Sequence, residues 1–328
     1  MNRTEVSKVN FKWAIVGTGH AASKFVRDLK CLSNHTVSLV SSGLQERASY
    51  FREKNQLDCR AIEHKFLEEI DDIDAVYIAS HSNQHFSHIT SVLSLGVPIL
   101  CEKPLALKLG EVLNLYSQSE ELSTVLVEGL WTQFLPMTIA FRDKIKVDLF
   151  AHNRSFFAEF GKEFTFDPSF RLFSRELSGG ALYDLGIYPV SLAISLFGIP
   201  TLLDSKVERG EDGVILDFAA RLRFPDAQES YVRSSIMKTL SNEGRMIGRT
   251  VTLNQSFLET PGAKYEFPTL SIDILPKEDI CGLGMWRQAL AIEKSKESPH
   301  KELLAHVKMV SLETHRILWE IEKRSSIG

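Results

Sequence analysis

Phe11 to Lys24, Phe-Lys-Trp-Ala-Ile-Val-Gly-Thr-Gly-His-Ala-Ala-Ser-Lys, is the stretch whose reading decides the fold of this chain. Trp13 to Val16 form a short apolar run of the kind that suits a buried parallel strand. Gly17, Gly19 and Ala22 follow as G-x-G-x-x-A at the opening of a helix-compatible segment carrying Phe25, Val26 and Leu29. Each small residue has a physical task in dinucleotide binding. Gly17 permits the tight turn, Gly19 removes a Cβ that would hold a pyrophosphate off the backbone, and Ala22 lets helix and strand approach. The helix N-terminus then offers N–H donors to the anion. Alone the motif is also what a plain turn looks like; between an apolar strand and a helix it has the context that gives it meaning.

Working outward, 328 residues exceed what one core usually organises, so two domains are expected. A hydrophobic content of 44% with 24% charged residues places the chain among ordinary globular proteins. The net charge of -4 comes without a basic block, which argues against a nucleic-acid partner. No apolar run reaches the roughly eighteen residues that span a bilayer, and Met1 to Asn10 is polar, so neither membrane insertion nor export is expected and the cytoplasm is the default compartment. Cys31, Cys59, Cys101 and Cys281 are scattered without a C-x-x-C pair, a spacing that indicates neither a disulfide framework nor a zinc site.

Strands and helices alternate from Phe11 to about Val127, the pattern of a parallel sheet covered on both faces. The second strand is expected at Thr36 to Val40, and its end bears on the cofactor. An NAD site usually places a carboxylate there for the ribose hydroxyls. Here stand Ser41, Ser42 and Gly43, with Arg47 one helical turn on, a set that suits a 2′-phosphate; NADP is therefore expected, with NAD as the alternative. Asp74 to Ala79 reads as another buried strand, ending in Ser80-His81-Ser82-Asn83-Gln84-His85, where Ser82 or Asn83 can cap the next helix. His81, His85 and His88 share a helical spacing, but no further ligand or carboxylate partner is evident and no metal is expected. Val97 to Leu100 then runs into Cys101-Glu102-Lys103-Pro104, which puts a lysine at the carboxyl end of a central strand. There its ammonium can shift the pKa of a neighbouring acid, though Glu102-Lys103 by itself also describes a surface ion pair.

Ser123 to Val127 closes the first half, and Glu128 to Pro136 leads to an expected connecting helix at Leu135 to Lys146. Beyond Leu149, strand-like segments follow one another at Asn153 to Phe160, Val214 to Phe224, Glu229 to Met237 and Thr250 to Asn254, which argues for an antiparallel sheet. Leu216, Phe218, Ala220 and Leu222 alternate with Asp217, Ala219, Arg221 and Arg223, so one face should be covered and the other open to a second copy of the chain. Among these strands lies Arg171-Leu172-Phe173, then Gly179-Gly180-Ala181-Leu182-Tyr183-Asp184-Leu185-Gly186-Ile187-Tyr188-Pro189. Asp184 and Tyr188, four apart, are expected on one helix face, although a packed aromatic and a dipole-complementing acid would look the same. Helices at Ile280 to Lys296 and Lys301 to Lys323 close the chain, with Leu303, Val307, Val310, Ile317 and Ile321 as packing residues.

Taken in order, Gly17-Thr18-Gly19, the Ser80 to His85 turn, Glu102-Lys103-Pro104 and the Gly179, Gly180, Asp184, Gly186, Tyr188 series resemble the Gfo/Idh/MocA oxidoreductases. Tyr188 in place of the commoner His, with Leu130-Trp131-Thr132 and Arg171-Leu172-Phe173, looks most like the dihydrodiol dehydrogenase and NADP-dependent xylose dehydrogenase branch. Two positions depart from it: Gln133 stands where Arg commonly follows the W-T pair, and Gly43 where Arg often follows the second-strand serine. The fold this implies is an α/β Rossmann-type parallel sheet (1–127) followed by an α+β domain with a large, mostly antiparallel open-faced sheet (128–328). The resemblance implies catalysis by Lys103, Asp184 and Tyr188, the phenol acting as acid or base with its pKa lowered by the ammonium. It implies cofactor contacts from Gly17, Thr18, Gly19, His20 and Ala21, from Ser41, Ser42 and Arg47, from Ala79, Ser80, Asn83 and His85, and from Glu102 and Lys103. Trp131, Gln133, Arg171, Asp184 and Tyr188 would face a sugar, polyol or vicinal diol, and the open sheet would make a homodimer or homotetramer. A dinucleotide-sensing regulator is the main alternative, and an enzyme of the same fold with different chemistry the second.

Overall fold

The computed structural model describes residues 10–136, 138, 139, 142, 155–177, 179–225, 228–247, 252–256, 263–266, 271–274 and 284–324. The first sheet is made of β1 (Phe11–Val16), β2 (His35–Ser42), β3 (Arg60–Glu63), β4 (Ala75–Ile78), β5 (Ile99–Glu102) and β6 (Leu126–Gly129). The order is β3-β2-β1-β4-β5-β6 with every pair parallel. Four helices connect the strands: α1 (His20–Leu29), α2 (Gln45–Lys54), α3 (His85–Leu93) and α4 (Leu109–Glu121). Trp13 to Val16 are wholly buried because helices cover both faces of β1. α1 turns Ala22, Phe25, Val26 and Leu29 inward, so its apolar residues recur at helical spacing against the sheet. Phe25 packs edge-on to Trp13 at 5.2 Å and face-on to Tyr77 at 3.9 Å. The strand order reverses between β1 and β4, which opens a crevice at their carboxyl ends.

The second sheet has eight strands: β7 (Ser155–Gly161), β8 (Thr201–Arg209), β9 (Ile215–Arg223), β10 (Glu229–Ser235), β11 (Glu243–Ile247), β12 (Thr252–Ser256), β13 (Ala263–Glu266) and β14 (Ser271–Ile274). They run in the order β14-β13-β12-β11-β7-β10-β9-β8, antiparallel except for the β7–β10 pair. The antiparallel reading therefore holds, with one parallel joint where the chain returns to the sheet. β3, β8, β11, β13 and β14 were not legible as strands, being short or mixed in polarity. A 3₁₀ turn at Trp131–Phe134 precedes the expected connecting helix, of which residues 136, 138, 139 and 142 are helical, while residues 137, 140, 141 and 143–146, the expected strand starts at 153 and 250, and residues 280–283 lie outside the described residues.

On the covered face, Phe218, Ala220 and Leu222 of β9 pack under α5 (Ile187–Phe197), a nearly continuous apolar helix. The other face carries charge and two exposed aromatic rings, Phe157 and Tyr231, stacked at 5.0 Å and 11°. Ion pairs Arg221–Asp204, Arg223–Glu229 and Arg233–Asp217 link the strands there. α6 (Trp286–Glu293) and α7 (His300–Arg324) follow. α7 joins two cores: Leu304 and Val307 pack with the first sheet, and Val310, Ile317, Leu318 and Ile321 with the second.

Cys31 is disulfide-bonded, whereas Cys59 and Cys101 are free thiols. Sequence spacing pointed away from any disulfide, because pairing depends on distance in the fold, which separation along the chain does not reveal. No helix among the described residues is long and apolar enough to cross a membrane.

Candidate active site

At the crevice the chain forms a cleft of about 860 Å³ lined by residues of the first sheet and its loops and by Trp131, Arg171, Leu177, Asp184, Tyr188 and Met285 from further along the chain. One end is the glycine turn. Gly17 has φ +108°, and a Cβ there would stand 2.5 Å from the Ala79 carbonyl oxygen, so the turn closes tightly on the end of β4. Gly19 is different: a Cβ there would meet only the Ala79 oxygen, at 3.9 Å. Packing within the protein does not demand a glycine at that position, but close approach by a ligand does. Gly19 is also the N-cap of α1 and supplies no side-chain cap, which leaves the helix N-terminus open to an anion. Thr18, His20, Ala21 and Lys24 line the same wall. Small residues, backbone donors and a cation make a set that fits a dinucleotide pyrophosphate.

The serines after the second strand separate. β2 extends through Ser42, two residues beyond its expected end. Ser41 is fully buried and its Oγ lies 2.9 Å from His64 Nδ1, so it does not line the cleft, contrary to its expected cofactor contact. Ser42, Gly43 and Arg47 do line it, with His64 beside them. Ala79, Ser80 and His85 also line the wall, but Asn83 does not; Ser82 and Gln84 do instead. A 3₁₀ turn at Ser82–Gln84 precedes α3, so the cap expected of Ser82 or Asn83 is not formed; Ser82 instead donates to the Leu177 carbonyl at 3.0 Å.

His85 and His88 are buried in α3 and serve the backbone and neighbouring hydroxyls. His85 Nδ1 is 2.8 Å from the Pro104 carbonyl and Nε2 is 3.2 Å from that of Ser80. His88 Nδ1 is 2.8 Å from Ser80 Oγ, and its ring lies 4.4 Å from that of His64. Burial pushes His64 and His85 below the ordinary imidazole value; burial and the neighbouring imidazoles bring His88 down to about 4. No group of three or more potential metal ligands occurs among the described residues.

At the other end, Lys103 meets Asp184 and Tyr188. The Lys103 ammonium donates to Asp184 Oδ1 at 2.9 Å and to the Asp184 carbonyl at 2.8 Å. It also lies 5.3 Å from the centre of the Tyr188 ring. Arg171 adds two longer bonds of 3.3 Å to the same carboxylate, and Trp131 stands beside the Tyr188 side chain, where it favours the phenolate slightly. The shared helix face expected for Asp184 and Tyr188 is built differently. Ala181–Leu185 form a π-helical turn and α5 starts at Ile187, with Gly186 between them. The Lys103–Pro104 bond is cis.

Burial works against each charge here and the partners reverse it in two of three cases. Asp184 is held below its ordinary value because Lys103 and Arg171 outweigh desolvation. Lys103 is held above its own because Asp184, Tyr188 and Glu102 outweigh burial. Tyr188 goes the other way from expectation: burial, with Glu102 and Asp184 adding, raises the phenol despite Lys103.

Gln133 is 1% exposed, neither amide atom has a hydrogen-bond partner, and it is absent from the cleft wall where Trp131 and Arg171 stand. It lies off the wall where a substrate contact was expected, since the 3₁₀ turn carrying it directs it into the interior. Residues the motifs did not flag, His64, Leu177 and Met285, complete the wall. No sequence signal marks them, because each reaches the cleft from an element defined only in three dimensions.

A parallel sheet of this order with a glycine turn at its reversal point is the arrangement of a dinucleotide-binding fold. Residues 11–130 match the model of an oxidoreductase family with an NAD-binding Rossmann fold, and residues 150–253 match the GFO/IDH/MocA C-terminal domain. The chain belongs to the GFO/IDH/MocA family and is an oxidoreductase. Trans-1,2-dihydrobenzene-1,2-diol dehydrogenase of Homo sapiens is 30% identical over 241 residues, 72% of each chain. A 3-ketoreductase of Actinomadura kijaniata, solved with NADP and TDP-benzene, superposes with a TM-score of 0.82 at 21% identity, covering 96% of this chain and 97% of that one. An aldose–aldose oxidoreductase of Caulobacter crescentus, solved with glycerol, gives 0.82 at 17%, covering 96% and 98%.

The two glycines should separate on mutation. Gly17→Ala forces a Cβ against the Ala79 carbonyl in a left-handed backbone and is expected to destabilise the fold by about 1–3 kcal/mol or more in denaturant unfolding. Gly19→Ala should keep wild-type unfolding and weaken dinucleotide binding, read by NADPH fluorescence titration.

Proposed function

We propose that this chain transfers hydride between NADP and a secondary alcohol or carbonyl of a sugar, polyol or vicinal diol. The observation that carries the reading is the convergence of Lys103, Asp184 and Tyr188 on one end of the cleft whose other end is the glycine turn. When bound, the nicotinamide supplies the hydride acceptor or donor. Tyr188 holds the proton that the substrate oxygen gains or loses. With its pKa raised, the phenol is poised as an acid at neutral pH, which favours carbonyl reduction. Lys103 and Arg171 keep the Asp184 carboxylate charged and oriented, ready to accept a substrate hydroxyl. Trp131 steadies the phenolic oxygen.

NADP is preferred on the charge of the distal cleft. The carboxylates on its wall are Glu102 and Asp184, both at the lysine end, while Arg47 lies beside Ser42 and Gly43. A 2′-phosphate there meets a guanidinium, and no carboxylate is among the residues lining that end of the cleft. The open face of the second sheet, with its stacked Phe157 and Tyr231 and its self-complementary charges, supports association of two copies as a homodimer or, through a second contact, a homotetramer.

Lys103→Met and Tyr188→Phe are each expected to cut turnover by at least about 100-fold, with NADPH binding retained. NADPH oxidation against a panel of aldoses, ketoses and diketones measures this, and wild-type rates in either variant would remove the assigned roles. The same assay should show reduction holding steady up to pH 10 and oxidation climbing with pH, since the phenol ionises above its ordinary value of 10. Arg47→Ala should raise KM for NADPH by about 10-fold or more and leave that for NADH nearly unchanged. Phe157→Glu with Tyr231→Glu is expected to halve the sedimenting mass.

A further inference from the structure

Every residue from Glu102 to Leu105 is held by a group from another part of the chain. Tyr77 donates to Glu102 Oε1 at 2.7 Å, Lys103 reaches Asp184, and His85 contacts the Pro104 carbonyl. The fourth hold is the Leu105 N–H, which donates to Glu128 Oε1 at 2.8 Å. Glu128 pairs with Cys101 across β5 and β6, directly beneath the turn, and is wholly buried. Two residues of α7 fix its carboxylate: His315 Nε2 lies 3.0 Å from Oε1, and Ser311 Oγ donates to Oε2 at 2.5 Å. Tyr116 of α4 in turn donates to Ser311 at 2.9 Å.

A buried carboxylate–imidazole pair is an unfavourable way to fill core volume, since apolar residues of similar size serve stability as well or better. What Glu128 does that an aliphatic side chain cannot is accept the Leu105 N–H. We infer that Glu128, fixed by Ser311 and His315 of the C-terminal helix, is a positioning residue that sets the Lys103 turn of the active site. The inference rests on the role given to Lys103, and it reaches past it by making α7 part of the active-site framework.

Replacing the pair with apolar residues separates positioning from stability. Glu128→Leu/His315→Leu is expected to fold with a melting temperature near wild type, apolar packing offsetting the Leu105 N–H left without an acceptor, yet to lose about 100-fold in kcat with KM for NADPH little changed. Glu128→Gln keeps an acceptor for Leu105 and should recover most of that rate. Added to Lys103→Met, the double replacement should slow the residual rate no further, because both act through one group. A stable double variant with wild-type kcat, or losses that multiply with Lys103→Met, would overturn the inference. Should the double variant not fold, His315→Gln takes its place: it keeps a donor for Glu128 with altered reach, a severalfold loss of kcat is expected, and an unchanged kcat counts against the inference. A crystal structure of the folded variant decides independently of turnover. Lys103 Nζ should leave Asp184 Oδ1, now 2.9 Å away; an unmoved turn sinks the idea even if Lys103→Met proves active, a result that would instead fell the catalytic reading.

Discussion

The structure turns on one ammonium group. Lys103 sits at the end of β5 in the first sheet, and both atoms it donates to belong to Asp184, which is 81 residues away beside the second sheet. Removing a charge from water is costly, so the lysine stays charged only because a carboxylate and a carbonyl meet it. That requirement determines much else. The π-helical turn at Ala181–Leu185 brings both oxygens of Asp184 to bear, and Arg171 shares the carboxylate from outside.

The balance of charge explains why proximity alone misjudged Tyr188. A lysine beside a phenol lowers its pKa if the ammonium field is free. Here the ammonium still pulls the phenol down, but Asp184, 2.9 Å from that ammonium, and Glu102 oppose it with their own negative charge, while the Tyr188 ring centre lies 5.3 Å from the ammonium. Burial then decides the direction.

The glycine turn, the parallel sheet and the mostly antiparallel second sheet were legible in the sequence because periodicity and small-residue spacing are local signals. So was the meeting of Lys103 with Asp184, through motifs whose order carries the family likeness. Contacts that depend on side-chain direction were not. Ser41, Asn83 and Gln133 sit in the expected segments but off the cleft wall, since strand register and 3₁₀ turns decide which neighbour points inward. His64 and Met285 reach the wall from elements with no motif. Glu128 was visible only as part of a strand ending, and its partners on α7 lie 183 and 187 residues further along the chain.

That separation has a consequence for biosynthesis. On the ribosome the first sheet emerges and can pair its strands long before residues 311 and 315 exist. Until they arrive, Glu128 is a carboxylate without its hydroxyl and imidazole partners. The nascent polypeptide can thus pair the strands of the first sheet early, while the contacts of Glu128 wait for α7 to be made and to dock.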